Sequence, residues 1–286
     1  MNNDQKDKYT ELRRWELSGN IIAFTTTRHG GYSRGEYGDM NINPWVGDEP
    51  EAVMKNRQLL CQTLGLPDTD HIIMPHQVHG TALYQVNGAF LSLQEDTRTA
   101  ELEGIDIVMT DVPGVCIGVS TADCVPVLLY DAAHHASCAI HAGWRGCVRR
   151  AIPKAITAMS ETYGTRPEEL RALIGPHISK LRYPVGVEVI ETFRKAGFDV
   201  NRFTMATGDW DTPGKKVSEE DRRWNLDLLT FCQIELTDAG IGGNHIVDAG
   251  ECTFSQPDDY FSARRQGITC GRLFTGIILK VGDYSL

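Results

Sequence analysis

The chain alternates short apolar runs with longer amphipathic segments, and this alternation restricts its fold more than any other feature. The apolar runs are rich in β-branched residues and are bounded by turn residues, as buried strands are; they include IIAFTTTR (21–28), IDIVMT (105–110), VCIGVS (115–120), VPVLLYD (125–131), ASCAIHAG (136–143), RALIGPHIS (171–179) and TGIILK (275–280). Helical periodicity is found in residues 49–65, 147–164, 184–197 and 218–242. The sequence therefore predicts an α/β protein with a large mixed β-sheet flanked by helices.

The 286 residues contain no internal repeat, low-complexity run or clear linker. A chain of this length can fold as one large domain or two smaller ones. We predict a single domain over residues 20–286, preceded by a polar N-terminal segment, residues 1–19. Residues 206–221 are polar and are predicted to form a surface loop.

Composition excludes several classes of partner. Lys and Arg number 28 against 38 Asp and Glu, so the net charge is −10 and nucleic acid is not expected to bind. No run approaches the roughly 18 apolar residues of a membrane span, and the first 20 residues have no apolar signal core. We expect a cytoplasmic protein without a membrane partner. Its eight cysteines include no CxxC pair, so most are expected to be buried thiols.

Three separate segments contain residues that bind metals well: His79 in PHQVHG, Cys124 in STADCVPVLLYD and His141 in IHAGWRG. Two imidazoles and a thiolate match the three protein ligands of a catalytic zinc site, which leaves a fourth position open. Taken singly, Cys124 also fits a buried core thiol, and each histidine fits a hydrogen-bonded structural residue. The residues alone leave both interpretations open.

Several motifs in order give the chain a family resemblance, from about residue 20 to the C-terminus. It resembles the YfiH family, also described as polyphenol oxidase laccase-like, as peptidoglycan editing factor and as FAMIN-like purine nucleoside phosphorylase; the motifs are TRHGGYSRGEYGDMNI, HQVHG, TADCVPVLLYD, HAGWRG, IGPHIS and CTFSQPDDYFSARRQGITCGR. The resemblance implies a fold like that of bacterial cytotoxic deamidases. It also implies that His79, Cys124 and His141 are the metal ligands.

Two activities are implied by the resemblance. One is copper-dependent phenol oxidation; the other is phosphorolysis of adenosine, inosine, guanosine and methylthioadenosine, with deamination of adenosine. A multicopper oxidase needs many histidines, usually in HxH pairs, but this chain has nine histidines and no HxH. We therefore favour the nucleoside enzyme with Zn²⁺ as cofactor, and we keep Cu²⁺ as the alternative metal because copper heads the affinity series. The expected small-molecule partners are a nucleoside and phosphate; the oligomeric state is left open.

Arginines near the metal would hold phosphate and stabilise the transition state. Arg145 and Arg264 are the first candidates for catalysis, and Asn41 is a third; Arg28, Gln77 and Arg265 are predicted to bind substrate. Further candidates are Asp123 as support for the metal cysteine, Trp144, Tyr260 or Phe261 as stacking residues, and Cys252 as a pocket residue; His76 is not expected to be a ligand. The chain departs from the family pattern at two places, where His177 follows GP and Pro184 replaces a common glutamate. The second departure leaves the general acid or base unassigned.

Two other classes of function stay open. In a metal-free hydrolase that edits a peptidoglycan precursor, Cys124 would be the nucleophile and His141 the base. In a non-catalytic zinc-binding regulator, the metal would need a fourth protein ligand, which these segments do not supply.

Overall fold

A computed structural model describes residues 9–207 and 223–282. Its strands are β1 (Leu12–Trp15), β2 (Ile21–Thr26), β3 (Ile72–Ile73), β4 (Leu83–Val86), β5 (Ile107–Thr110), β6 (Cys116–Thr121), β7 (Val125–Asp131), β8 (Ala136–Ala142), β9 (Arg171–Ile174), β10 (Pro184–Val185), β11 (Thr204–Thr207), β12 (Arg223–Leu226), β13 (Ile246–Asp248) and β14 (Leu273–Leu279). Its α-helices are α1 (Pro50–Leu64), α2 (Glu95–Glu101), α3 (Trp144–Val148), α4 (Ala151–Tyr163), α5 (Val187–Lys195), α6 (Leu228–Asp238) and α7 (Ala263–Gln266). The α/β class is confirmed.

The predicted large sheet is divided. One mixed sheet has the strand order β1-β2-β14-β6-β3, a second has the order β13-β9-β7-β8-β5-β4, and β10-β12-β11 form a small third sheet. The two larger sheets pack face to face through a shared apolar cluster that includes Ile117, Leu128, Ala139 and Ile277. Helices α4 and α6 cover the outer face of the six-stranded sheet, and α1 covers the five-stranded one.

This layered packing explains the continuous apolar runs in the sequence. Every residue of β6, β7, β8 and β14 is buried, because each of these strands has one face against the other large sheet and one face against helices. Strands buried on both faces have no need for alternating polar residues. The central strands thereby form a rigid base for the residues at their ends.

Four predicted boundaries differ from the observed ones. The helix predicted over 218–242 begins only at Leu228, because the Asp227 side chain caps it by accepting from Thr230 N–H; residues 223–226 form β12 instead. The helix predicted over 147–164 is interrupted at Arg150, which has a left-handed φ of 60°. The helix predicted over 184–197 begins at Val187, after β10. Residues 12–15, within the polar segment 1–19, pair with β2 as β1.

Two further predictions concern a loop and the end of a helix. Of the predicted loop 206–221, residues 206 and 207 belong to β11, and the remainder lies outside the described residues. Gly65 ends α1 as predicted, with a left-handed φ of 70°. Within the described residues, no helix is long and apolar enough to span a bilayer.

Candidate metal centre

Three elements that are distant in sequence meet at one end of the six-stranded sheet. His79 lies in the turn between β3 and β4, Cys124 immediately precedes β7, and His141 is the next-to-last residue of β8. Strands β7 and β8 pair antiparallel with Val125 opposite Ala142, so the start of β7 lies beside the end of β8. The sheet register thus brings Cys124 next to His141.

The donor atoms of these three residues lie within 4.8 Å of one another. Cys124 Sγ is 3.8 Å from His79 Nε2, and the two imidazole rings are 4.7 Å apart between centroids. A zinc ion bound at about 2.0–2.3 Å from each ligand holds its donor atoms roughly 3–4 Å apart. The three side chains are therefore spaced to fit one ion with only a small contraction.

Asp106, which sequence reasoning missed, holds two of the three candidates in place. Its buried carboxylate accepts from His141 Nδ1 at 2.7 Å and from the backbone N–H groups of Val78, His79 and Gly80 at 3.2, 3.0 and 2.6 Å. The bond to Nδ1 leaves Nε2 of His141 available to a metal. The three backbone bonds fix the turn in which His79 has a φ of 60°. A ligand imidazole oriented by a carboxylate is the usual support of a metal-binding histidine.

Gly143 provides the space that the site needs. A Cβ atom added at this position would lie 2.9 Å from His79 Cδ2, 3.1 Å from Cys124 Sγ and 3.7 Å from His141 Nε2. Any side chain here would therefore press on His79 and Cys124 and contact His141. Glycine is required because the backbone passes directly beside the cluster.

The charges of the cluster favour a thiolate. Burial raises the pKa of the Cys124 thiol, but His141 and hydrogen bonds from both histidines outweigh it and bring this pKa to about 6. Burial lowers the pKa of His141, but the Cys124 thiolate and the Asp106 carboxylate raise it to about 9. Without a metal, Cys124 and His141 form an ion pair. Metal binding would release the His141 proton, because the ligand form of imidazole is neutral.

This cluster is the one group of three or more His, Cys, Asp or Glu side chains with metal-binding spacing in residues 9–207 and 223–282. All nine histidines lie in these ranges. Four of the others pair separately with carboxylates: His29, His71, His76 and His134. A trinuclear copper cluster needs several histidines at one place, so the described part of the chain has no such site.

The cluster opens into a cavity of about 520 Å³. Of the predicted residues, Arg145, Arg264, Gln77, Asp123 and Trp144 line it together with the three candidate ligands. Sequence reasoning missed other lining residues, namely Arg272, Trp45, Tyr183, Asn43 and Ser120. Arg272 lies in the CTFSQPDDYFSARRQGITCGR motif and Ser120 in the STADCVPVLLYD segment, which offered a signal; Trp45, Tyr183 and Asn43 lie outside the quoted motifs.

The three arginines of the cavity differ in how firmly they are held. The Arg264 backbone N–H donates to Asp123 Oδ2 at 2.6 Å and its Nη1 donates to Pro184 O at 2.7 Å, so Asp123 positions this arginine in addition to standing next to Cys124. Arg272 donates to the carbonyl oxygens of residues 268, 270 and 271. The Arg145 guanidinium stacks on the Trp144 ring at 4.4 Å and has no protein hydrogen-bond partner among the described residues. Arg145 thus has the most donors left for a ligand.

Both ends of the Gln77 side-chain amide form hydrogen bonds with the Ser120 backbone. Its amide donates to Ser120 O at 2.9 Å and accepts from Ser120 N at 2.7 Å, which ties the His79 turn to β6. His76 lines the cavity but is outside the metal cluster, and its Nδ1 pairs with Glu103 at 2.8 Å. Both residues support the wall of the cavity.

The structure places Arg28, Arg265 and Asn41 outside the cavity lining. Arg28 donates to the carbonyl oxygens of Gly38 and Pro257, and Arg265 donates to Phe254 O, so both guanidinium groups secure loops. Asn41 is fully buried and accepts from Arg272 N–H at 3.1 Å, which makes it a support for that arginine.

Trp144, a predicted stacking residue, lines the cavity, and its ring is in contact with the Arg145 guanidinium. The remaining stacking and pocket candidates lie elsewhere. Tyr260 and Phe261 are fully buried in an apolar cluster with Cys270 and Leu273, because their rings fill the core under α7, and neither can stack on a substrate. The Cys252 thiol contacts Ser179, with Sγ 3.2 Å from Ser179 Oγ, and it does not line the cavity.

Known proteins resemble this chain along almost its whole length. A sequence profile described as multi-copper polyphenol oxidoreductase laccase matches residues 22–280. A purine nucleoside phosphorylase of Bacteroides thetaiotaomicron is 38% identical over 261 residues, which cover 91% of this chain and 92% of that protein. Adenosine deaminase RL5, from an unknown prokaryotic organism, is 36% identical over 263 residues, covering 91% and 94%. The crystal structure of the Bacillus licheniformis protein YfiH shares the fold, with a TM-score of 0.82, 24% identity, and coverage of 96% and 98%.

Proposed function

The chain belongs to the family described as multi-copper polyphenol oxidoreductase laccase, and from that premise we propose that it is a zinc-dependent purine nucleoside phosphorylase that also deaminates adenosine. The names of the two relatives support an enzyme of this kind. We propose adenosine, inosine, guanosine and methylthioadenosine as substrates, with phosphate as the second substrate. One observation carries the proposal: a site for a single ion shares its cavity with three arginines.

His79, Cys124 and His141 would hold the metal, since their donor atoms, the Asp106 support and the space beside Gly143 fit such an ion. A zinc ion bound there supplies a Lewis acid and a water of lowered pKa, the reagents that purine deamination needs. The protein itself fixes the imidazole tautomer through Asp106 and keeps the cysteine as a thiolate. Three protein ligands leave a coordination position for a solute, as in other catalytic zinc sites.

Phosphorolysis requires the chain to bind an anion next to the ribose. Arg145 is the arginine with unused donors, and its planar guanidinium matches the geometry of phosphate. Arg264 and Arg272 add positive charge to the same cavity from fixed positions. We propose that Arg145 binds phosphate directly and that the other two stabilise charge around it.

The apolar part of a nucleoside also has a place in the cavity. The ring of Tyr183 belongs to its lining and can stack on a purine. Trp45 also lines the cavity, with its indole stacked on His76. Tyr183 stays protonated far above neutral pH because burial raises the pKa of its phenol. Its hydroxyl is thus a hydrogen-bond donor throughout the working range.

A second candidate function rests on a different feature of the same cluster. Asp106, His141 and Cys124 follow one another as the orienting acid, base and nucleophile of a metal-free cysteine hydrolase would. A bound ion would occupy the thiolate that such a hydrolase needs for attack. Chelation therefore separates the two functions: it should abolish activity of the zinc enzyme and raise activity of the hydrolase.

The test is product identification with protein purified without added metal. Metal content is measured first, and each nucleoside is then incubated with and without phosphate. We expect about one zinc per chain, ribose-1-phosphate that depends on phosphate, and inosine from adenosine. His79→Ala should lose the metal and both activities. Absence of ribose-1-phosphate from all four nucleosides would reject the phosphorylase.

Arg145→Ala tests the phosphate site, and Arg149→Ala, an exposed arginine just after α3, is the matched control. A hydrogen bond to a charged group contributes about 1.5–3 kcal/mol, which is roughly a 10- to 150-fold change in affinity. We expect Arg145→Ala to raise the KM for phosphate by about that factor and to leave deamination much less affected. A KM unchanged in Arg145→Ala, or raised equally in Arg149→Ala, would contradict the assignment.

A further inference from the structure

A second cavity of about 330 Å³ lies beside the first, and Trp45 belongs to the lining of both. Its inner wall is apolar and consists of buried side chains, among them Val53, Ile72, Phe90 and Leu102. Pockets of about 300 Å³ and upward with apolar walls and a few polar groups are typical small-molecule sites. None of the chemistry proposed above uses this cavity.

Arg57, on α1, is one of the polar residues that line this cavity. Its Nη2 donates to the carbonyl oxygens of Thr69 at 3.3 Å and Ile72 at 3.0 Å. The described residues offer no acceptor to its Nε or Nη1, although the side chain lines the cavity. The side chain is half-buried, and this partial burial lowers the pKa of its guanidinium. These two donors are open to a solute that enters the cavity, and a hydrogen bond to a charged acceptor is stronger than one to a neutral group.

The charges around Arg57 indicate which kind of solute its unused donors would bind. Arg98 is already paired with Asp70, at 2.7 Å between Nη2 and Oδ2. Glu95 lines the cavity from the exposed first turn of α2, and its carboxylate repels a dianion such as phosphate about twice as strongly as a monoanion. One unsatisfied guanidinium can neutralise a single negative charge. A monoanion with two acceptor oxygens in one plane matches the guanidinium fork.

We propose that this cavity binds a small carboxylic acid with a flat apolar body. The carboxylate accepts two hydrogen bonds from Arg57, and the apolar body packs against Phe90, Leu102 and Trp45. Such a ligand is held by buried apolar area and by one charge-assisted pair. A neutral analogue of the same shape binds more weakly, because it leaves the guanidinium without a charged partner.

Trp45 connects the second cavity to the cavity of about 520 Å³ beside His79, Cys124 and His141, which is called the metal cavity below. Its indole stacks on the His76 ring, 4.9 Å between centroids and 21° between planes, and His76 lines the metal cavity. The Trp45 backbone N–H donates to Asn43 Oδ1, and Asn43 Nδ2 donates to Ser120 Oγ, both at 2.8 Å. A ligand that packs on one face of Trp45 therefore changes the affinity for a nucleoside in the other cavity, and the nucleoside changes the ligand's affinity by the same factor.

Isothermal titration calorimetry with indole-3-acetate, and with neutral indole-3-acetamide as the matched probe, tests the site. We expect the acetate to bind at least tenfold more tightly than the acetamide. Arg57→Met should abolish this preference, and Thr99→Trp should block both probes because Thr99 lines the cavity at its exposed rim. Thr99→Trp keeps the Arg57 hydrogen bonds, so it remains informative if Arg57→Met fails to fold by circular dichroism.

Arg145→Ala is the control for binding in the wrong cavity. Probe binding that is lost in Arg145→Ala but kept in Thr99→Trp would overturn the proposal, as would equal affinities for the acetate and the acetamide. The effect on nucleoside affinity rests on the proposed function, so it is measured separately by titrating adenosine in the presence and absence of indole-3-acetate. Saturating probe should shift the adenosine Kd, and the shift should vanish in Thr99→Trp. An unchanged adenosine Kd would refute the coupling through Trp45. It would not affect the carboxylate site, which the comparison of indole-3-acetate with indole-3-acetamide tests separately.

Discussion

Replacing Asp106 with asparagine tests whether one buried carboxylate both supports the fold and prepares the metal site. Oδ1 accepts from His141 Nδ1 and His79 N–H, and Oδ2 accepts from the N–H groups of Val78 and Gly80. The asparagine amide has one oxygen and one NH₂ group, so whichever way it turns, two donors face another donor. Each lost bond to a charged acceptor is worth about 1.5–3 kcal/mol, which predicts a loss of roughly 3–6 kcal/mol in the free energy of unfolding.

The same substitution should weaken metal binding. Removing the carboxylate that orients a ligand imidazole typically lowers metal affinity by about 10- to 100-fold. Zinc affinity of Asp106→Asn is measured by competition with a chromophoric chelator, and stability is measured by urea unfolding. Both measurements are made at low temperature. The expected loss is a large part of the free energy of unfolding of a typical domain, which is roughly 5–15 kcal/mol.

Asp131→Asn is the matched control. Asp131 is equally buried, and its carboxylate also accepts four hydrogen bonds, from Ala133 N, His134 N, His134 Nδ1 and Thr165 Oγ1. It ends β7, at the opposite end of the strand from Cys124. We expect a comparable loss of stability with zinc affinity unchanged. If Asp106→Asn binds zinc within twofold of the wild type, or if Asp131→Asn weakens zinc equally, the reasoning about Asp106 is wrong.

Three further predictions follow from individual contacts. Gly143→Ala should weaken zinc binding at least tenfold in the same chelator assay, because its Cβ would lie 3.1 Å from Cys124 Sγ, whereas Gly88→Ala, where nothing lies within 4 Å, should have no effect. Burial raises the pKa of Asp131, but hydrogen bonds outweigh it and hold this pKa below its ordinary 3.8; the resulting stability is present above that pH and lost as the pH falls below it. Urea unfolding of Asp131→Asn should therefore depend less steeply on pH between about 5 and 3 than that of the wild type. Phe231→Ala, in a cluster of four phenylalanines, should cost about 3–5 kcal/mol of unfolding free energy and leave zinc affinity unchanged; a loss below 1 kcal/mol, measured by urea unfolding, would contradict the packing.

Much of the architecture was readable from local patterns. Runs such as VPVLLYD predict strands because a strand buried on both faces is apolar at every position, and Gly65 predicts a helix end because glycine readily adopts a left-handed φ. The same patterns report burial but not pairing partners. They could not show that β6 and β8 belong to different sheets, or that Asp227 rather than Ser218 starts the helix α6.

In the candidate site, too, some residues could be named from the sequence and others only from the structure. Residue type and motif order were enough to name His79, Cys124 and His141, since few side chains bind metals and the family motifs contain them. Arg28 and Arg265 carry equally strong motifs, yet they bind backbone carbonyl oxygens, because a guanidinium satisfies whichever acceptors the fold brings near it. Nothing in the segment IDIVMT marks Asp106 as the support of His141, 35 residues away.

The sequence by itself determined which residue types and strand-forming runs were available, because those depend on side-chain chemistry and on local periodicity. Tertiary structure alone decided which of them meet: the β7–β8 register sets Cys124 beside His141, and Asp106 reaches both the His79 turn and the His141 ring. Partnerships of this kind depend on distances between segments far apart in the chain. Those distances exist only once the two sheets have packed and the backbone has closed around Gly143.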